Sequence, residues 1–296
     1  MDAPRHEPVM VGEVLSLLAP AEGGLFVDCT IGLGGHSAAI LDAGAARLIG
    51  LDRDADALEL ARRRLAPFAD RIELVHADYR ELASVLDARR IAAVHGILAD
   101  LGVSSLQLDT EGRGFSFRRD EPLDMRMDRT QGPTAAALIA EAEESELAQV
   151  IFDFGEERHS RRIARAMVNE RQSRPIATTG ALADIVRRAV PVRGYQRIDP
   201  ATRTFQALRI WVNRELDGLD GFLGAAARRL LAGARFAVIT FHSLEDRVVK
   251  HTFRALAAAG GAWRVLTRKP VVPGDDEIAR NPRARSAKLR AIERLA

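Results

Sequence analysis

The feature that most constrains this chain is the alternation of two hydrophobic periods across its first hundred residues. Apolar, β-branched runs occupy 25–30, 47–52, 72–78 and 93–101. Helix-like segments at 36–43, 55–66 and 81–88 separate them, the second with apolar residues at 57, 58, 61 and 65. Strand and helix alternating at this pitch predict βαβ units with right-handed crossovers, hence a doubly wound, mostly parallel sheet of the α/β class. The first four strands each end in an acid: Asp28, Asp52, Asp78 and Asp100.

The alternation then stops. Residues 104–129 are polar, Gly-rich and loop-like, and 135–152, 158–171 and 179–189 read as helices. A long amphipathic helix follows, with Phe205, Leu208, Val212, Leu216, Leu219 and Leu223 at steps of three and four. Strand character returns at 234–241, a helix at 244–257, and a last strand pair at 263–267 and 288–294. The expected organisation is therefore one sheet domain, 1–104 and 204–296, interrupted by an inserted helical domain at 105–203.

Composition narrows the class. With 47% hydrophobic and 28% charged residues, the 296-residue chain has the make-up of a folded globular protein. Cys29 is the single cysteine, so neither an internal disulfide nor a cysteine metal cluster is expected. No apolar run approaches a membrane span, and residues 1–8 lack signal-peptide character; a cytoplasmic protein with no membrane partner is the expectation. The net charge of +2 hides an uneven distribution. Six arginines (158, 161, 162, 165, 171 and 174) face one acid, Glu170, in 158–175, and nine Lys/Arg face four Asp/Glu in 264–296. Basic surface beside an acidic pocket suggests an anionic macromolecule as partner and a cationic small molecule as ligand.

The pocket expected beyond the strand ends has its own grammar. After Asp28 come Gly32, Gly34 and Gly35, but Ser37 stands where a dinucleotide fingerprint needs its third glycine. A carboxylate before the glycines repels a pyrophosphate and suits a sulfonium and an ammonium group. Asp52, 18 residues past Gly34, is placed to accept hydrogen bonds from both ribose hydroxyls. The glycines let backbone approach a ligand without a Cβ in the way. S-adenosylmethionine is thus favoured over NAD. Asp78 reads equally as a helix cap.

The same residues, with those that follow, resemble the ribosomal RNA small subunit methyltransferase H family along nearly the whole chain. The motifs are H-E-P-V-M at 6–10, G-L-G-G-H at 32–36, L-D-R-D at 51–54, D-L-G-V-S-S-L-Q-L-D at 100–109 and R-G-F-S-F-R at 113–118. P-L-D-M-R-M-D at 122–128, F-G-E-E-R at 154–158, A-T-R-T-F-Q-A-L-R-I-W-V-N at 201–213, F-H-S-L-E-D-R at 241–247 and N-P-R-A-R-S at 281–286 complete them. The resemblance implies a Rossmann-like class I methyltransferase fold with an inserted helical domain. It implies methylation of the exocyclic N4 of a cytidine in 16S rRNA near the decoding centre. It also implies cofactor contacts at Gly34, Gly35, His36, Asp52, Tyr79 (a position where the family often has Phe), Asp100 and Gln107.

Cytosine N4 is conjugated to its ring and is a poor nucleophile, so a hydrogen-bond acceptor must take up its proton as it rehybridises. Asp100 is the candidate, although Asp100-Leu101-Gly102-Val103 lacks the aromatic that follows the acid or amide in other amino methyltransferases. Phe115 or Phe117 either supplies the missing base stacking or anchors its loop in the core. Asp124, Arg126 and Asp128 form either a charged face at the pocket mouth or a structural salt bridge. Ser243 with Asp246 reads as a capping box, leaving His242 open as a substrate contact. Arg158, Arg161, Arg162 and Arg165 fall at i, i+3, i+4 and i+7, one stripe on a helix that would bind RNA phosphates, or a solvated face. The expected partner is 16S rRNA within the small ribosomal subunit, with a homodimer left open. A DNA or protein methyltransferase and a non-catalytic RNA-binding assembly factor are the competing readings.

Overall fold

A computed structural model describes residues 7–191 and 198–296, so the first residue of the H-E-P-V-M motif, His6, lies outside the described residues. The chain forms two compact units, 1–102 with 218–296, and 103–217.

In the first unit, α1 (Val11–Leu18) precedes β1 (Leu25–Asp28), α2 (Gly35–Asp42), β2 (Arg47–Asp52), α3 (Ala55–Arg64), β3 (Ile72–His76), α4 (Leu82–Ala88) and β4 (Val94–Asp100). β1 and β2 are sheltered on both faces, which is why their sequences read as continuous rather than alternating apolar runs. The third strand stops at His76, short of the expected Asp78. Asp78 instead caps a 3₁₀ turn over Tyr79–Glu81 in a reciprocal capping box with Glu81.

The second unit holds α5 (Ser105–Asp109), α6 (Ala135–Glu141), α7 (Glu144–Gly155), α8 (Ser160–Ser173), α9 (Thr179–Ala189) and α10 (Ala201–Asn213). The single helix expected at 135–152 is two, because Ala142 and Glu143 are extended. These helices pack around Leu147, Ile151, Ile163, Met167, Leu182, Phe205 and Leu208.

The first unit resumes with α11 (Leu219–Arg228), β5 (Leu230–Thr240), α12 (Ser243–Ala258), β6 (Trp263–Val265), α13 (Asp275–Arg280) and β7 (Lys288–Arg294). The long helix expected through Leu223 is interrupted where Arg214 and Gly218 both adopt left-handed backbone. Hydrophobic spacing carries across that break because it records only which face is apolar. The return from the inserted unit accordingly falls at Gly218 rather than at 204, since Phe205 and Leu208 of α10 are buried among the inserted helices.

The seven strands lie in the order β3-β2-β1-β4-β5-β7-β6, parallel except for β7, which runs antiparallel to both neighbours. β1 pairs with β2 on one side and with β4 on the other. The chain winds outward from β1 to β3 and then crosses back to start the other half. Such a switch point leaves a crevice beyond the carboxyl ends of β1 and β4. Phe26, Ile40, Leu48, Leu98, Ile239 and Leu289 fill one face of the sheet beneath it.

Candidate functional site

Asp28, Asp52 and Asp100 are the last residues of β1, β2 and β4, three adjacent strands whose tips end at the switch point. Each carboxylate is held by the turn that follows a strand. Asp28, 1% exposed, accepts the Ser37 Oγ hydrogen bond at 2.7 Å on Oδ2 and the Thr30 N–H at 3.2 Å on Oδ1. Asp52 accepts the Gly32 N–H at 2.8 Å on Oδ2 and the Asp54 N–H at 2.9 Å on Oδ1. The glycine turn is therefore tied to two strand tips at once.

Burial dominates the electrostatics. It pushes the carboxyl of Asp28 up to about 6 against its two hydrogen bonds, with the charge of Asp52 adding to the shift. It pushes that of Asp52 up to about 6 as well, again against two backbone donors. The carboxyl of Asp100 is raised well above its ordinary value, by burial first and then by the charges of Asp28 and Glu245. The Asp100 N–H donates to Thr30 Oγ1 at 2.6 Å, and its Oδ2 lies 3.6 Å from His36 Nε2. Its Oδ1 is enclosed without a hydrogen-bond partner. Gathered carboxylates with one unmet acceptor make a site that gains from a cation.

His36 sits on the first turn of α2, which Gly34 opens in left-handed backbone. Close packing bears on both Gly34 and Gly35. A Cβ on Gly34 would stand 2.7 Å from Leu65 Cδ1, and one on Gly35 would stand 2.8 Å from Pro8 Cγ. Tyr79 follows the Asp78 cap, its ring 4.7 Å from that of Phe222 and 5.5 Å from the Arg80 guanidinium carbon. Asp78 takes Arg80 at 2.7 Å and Arg53 at 3.4 Å, so it acts as a cap and charge anchor.

His242 takes the capping part expected of Ser243. It caps α12 itself, Nδ1 accepting the Glu245 N–H at 3.4 Å, and Nε2 lies 3.1 Å from Glu245 Oε1. Ser243 is the first helical residue, and Asp246 pairs with Arg290 at 2.6 Å rather than closing a capping box. The cap thus stands one residue earlier than the Ser-x-x-Asp spacing predicts. The spacing H-x-x-E at 242–245 carries the signal, and it also marks Glu245, a buried acid that the sequence motifs alone do not single out.

The inserted unit holds the remaining candidates. Gln107 closes a capping box with Ser104, its Oε1 accepting the Ser104 N–H at 3.0 Å. Phe115 is buried in the helical core, and Phe117 packs edge-on against Phe205 at 4.7 Å with Arg187 over its ring. Both residues anchor their loop in the helical core in this structure. Arg126 grips both oxygens of Asp124, at 2.8 and 2.9 Å, while Asp128 holds Thr130 and Gln131, so the cluster is a salt-bridged loop. Arg161, Arg162 and Arg165 are exposed on α8, with Ile163 and Met167 turned into the core. Arg158 precedes that helix, so the expected four-arginine stripe is three helical residues plus one on the approach. Arg165 reaches Glu144 at 3.4 Å; among the described residues no acid lies within ion-pairing distance of Arg158, Arg161 or Arg162.

A seven-stranded sheet in this order, with acids at the tips beside a glycine turn, defines a Rossmann-like methyltransferase domain carrying a helical insertion. Residues 3–295 match the MraW methylase family, and the chain belongs to it. It is 51% identical to the ribosomal RNA small subunit methyltransferase H of Bradyrhizobium diazoefficiens over 99% of this chain and 93% of that protein. Proteins of the same name from Sorangium cellulosum and Geotalea uraniireducens are 51% and 47% identical, covering 98% of this chain and 91% and 98% of their own lengths. Among solved structures, an rRNA methylase from Streptococcus thermophilus aligns over 99% of this chain and all of its own, at 12% identity and a TM-score of 0.42. Among the described residues no helix is long and apolar enough to cross a membrane.

Proposed function

We propose that this protein binds S-adenosylmethionine at the strand tips of its sheet and methylates 16S rRNA at the exocyclic N4 of a cytidine near the decoding centre. The observation that carries the reading is the trio Asp28, Asp52 and Asp100 at three adjacent strand tips, the first buried and the other two half-buried, with the charge of Asp52 felt at Asp28, that of Asp28 felt at Asp100, and one enclosed oxygen lacking a partner. Such a site fits a ligand bearing a sulfonium and an ammonium, and it does not fit a pyrophosphate. The names of the relatives, together with the motifs at 100–128 and 201–213, support rRNA as the acceptor.

When bound, the cofactor supplies an electrophilic methyl group on a positively charged sulfur. Asp52 accepts hydrogen bonds from the ribose hydroxyls with the lone pairs that Gly32 and Asp54 leave open. Gly34, Gly35 and His36 border the ligand, and Tyr79 packs on its base. Asp100 accepts a hydrogen bond from the N4 amine and then its proton, which sharpens the nitrogen lone pair for in-line attack. Gln107 steadies the segment after β4. Arg158, Arg161, Arg162 and Arg165 hold RNA phosphates without reading sequence, and the choice of one cytosine rests on RNA shape and an unpaired or flipped base. His242 serves the substrate side through the first turn of α12.

The test is incubation with labelled S-adenosylmethionine and small ribosomal subunits that lack the modification, followed by mass-spectrometric mapping of the labelled nucleotide. Label on a cytosine amine of 16S rRNA is the expected result. Label in protein or DNA instead, or none in rRNA, refutes the reading.

A further inference from the structure

The first turn of α12 sets another buried acid behind the strand tips. Glu245 is 2% exposed; its Oε2 accepts the Phe241 N–H at 3.0 Å and its Oε1 lies 3.1 Å from His242 Nε2. Phe241 directly follows β5, the strand paired with β4, and Asp100 lies opposite Ile239 of β5. Glu245 thereby reaches the same strand ends from the helix side, and its charge is felt at Asp100. In this unit Asp100 is faced by Asp28 from β1, His36 from α2 and Glu245 from α12. Two of those groups are carboxylates. The imidazole is 3.6 Å away, and the enclosed Oδ1 has no hydrogen-bond partner. A carboxyl so placed is poorly served as an anion unless a cation stands beside it.

Resting on the S-adenosylmethionine reading above, we propose that Glu245 is a positioning residue for methyl transfer: with Asp28 it makes Asp100 hold a proton whenever no cation is bound. Binding of the sulfonium then drives a proton off the cluster. In the transfer, Asp100 takes the proton that N4 loses as the nitrogen lone pair forms the new N–C bond and the S–C pair is left on sulfur. The sulfur ends neutral, so the charge that kept Asp100 ionised vanishes at the step where a proton needs an acceptor. The product complex carries that proton, and a new round begins by releasing it.

The test is calorimetric, in buffers of different ionisation enthalpy, and counts protons exchanged when the whole protein binds S-adenosylmethionine or its demethylated product, S-adenosylhomocysteine. Near neutral pH the sulfonium form is expected to release more protons, by on the order of half a proton. Asp100→Asn is expected to abolish that difference. Glu245→Gln is expected to move its pH profile down by about one unit, as loss of a neighbouring like charge requires, while Glu245→Asp keeps it near wild type. Equal proton counts for the two ligands in the wild type, or a Glu245→Gln profile superimposed on the wild type, overturn the proposal and leave the cofactor reading standing. Binding of neither ligand removes both. Should Glu245→Gln fail to fold, a proton difference that survives in Asp100→Asn overturns the proposal by itself.

Discussion

Gly32 donates its backbone N–H to Asp52 Oδ2 at 2.8 Å, which pins the glycine turn after β1 to the tip of β2. One carboxylate therefore shapes the turn and presents its remaining lone pairs to the proposed ribose position. Asp52→Ala is expected to weaken S-adenosylmethionine binding by about 2–4 kcal/mol, the worth of two charged hydrogen bonds. Calorimetry on the purified variant measures this, and an unchanged dissociation constant shows that the ribose lies elsewhere.

The strand-tip acids also set a pH dependence whose sign is fixed. Asp28 and Asp52 stand near 6 in the folded protein against an ordinary 3.8, so the fold binds protons that the unfolded chain has already lost. Stability from these groups is fully present below about 4 and declines as pH rises through about 6. Asp78, Asp124 and Asp246, held low beside arginines, act oppositely at more acid pH. Denaturant melts of ligand-free protein should show a loss of stability from pH 4 to 6 that Asp52→Asn reduces. Cofactor affinity should rise over the same interval, because the cation binds the ionised form.

Ser37→Ala removes the Oγ donor from Asp28 without changing the backbone of α2. A buried carboxylate then loses one of its two hydrogen bonds, at a cost of about 1–3 kcal/mol in unfolding free energy near neutral pH. The penalty should shrink below pH 5, where the carboxyl is protonated. A loss of equal size at both pH values would mean that packing, rather than the charge of Asp28, is what Ser37 serves.

The inserted unit depends on Asn213. Its side chain accepts the Met127 N–H at 2.8 Å and donates to the Met125 carbonyl at 2.8 Å, holding Met125 in left-handed backbone with φ 62. Asn213→Ala leaves a buried N–H and a buried carbonyl unmet, and is expected to destabilise the unit by about 2–4 kcal/mol. Asn213→Asp restores the acceptor alone and should recover only part of that, read from the denaturation midpoint.

Arg161 and Arg162 are exposed and have no acid within ion-pairing distance among the described residues. Replacing both with Glu should weaken binding to small-subunit RNA and flatten its salt dependence, the slope falling by about 0.7–0.9 for each phosphate no longer neutralised. The S-adenosylmethionine dissociation constant should not change. An unaltered salt slope would identify α8 as a solvated face.

Much of the fold and part of the site are legible in the residues. The strand ranges of β2 and β7 match their apolar runs, and Asp28, Asp52 and Asp100 end their strands as expected. Asp78 does not: a capping-box residue and a strand-end acid look alike until the backbone shows which N–H groups need a partner. The arginine stripe is legible in its exposed face and fails at Arg158, where only the turn at His159 shows that the helix has not begun. His242 shows the same limit, since Ser243 is the better capping residue by type and yet lies inside the helix.

The order of apolar and polar residues determined the βαβ wind, the inserted helices and the acids at strand ends, because each depends on spacing along the chain. Only the tertiary structure decided that Glu245 lies near enough to raise the carboxyl of Asp100, that Pro8 and Leu65 are what Gly35 and Gly34 accommodate, and that α10 packs with the inserted helices. The first two of those relations join residues from 27 to 145 positions apart, as Gly35 is from Pro8 and Glu245 from Asp100. Burial and field strength depend on distance through the packed protein, which no local pattern encodes.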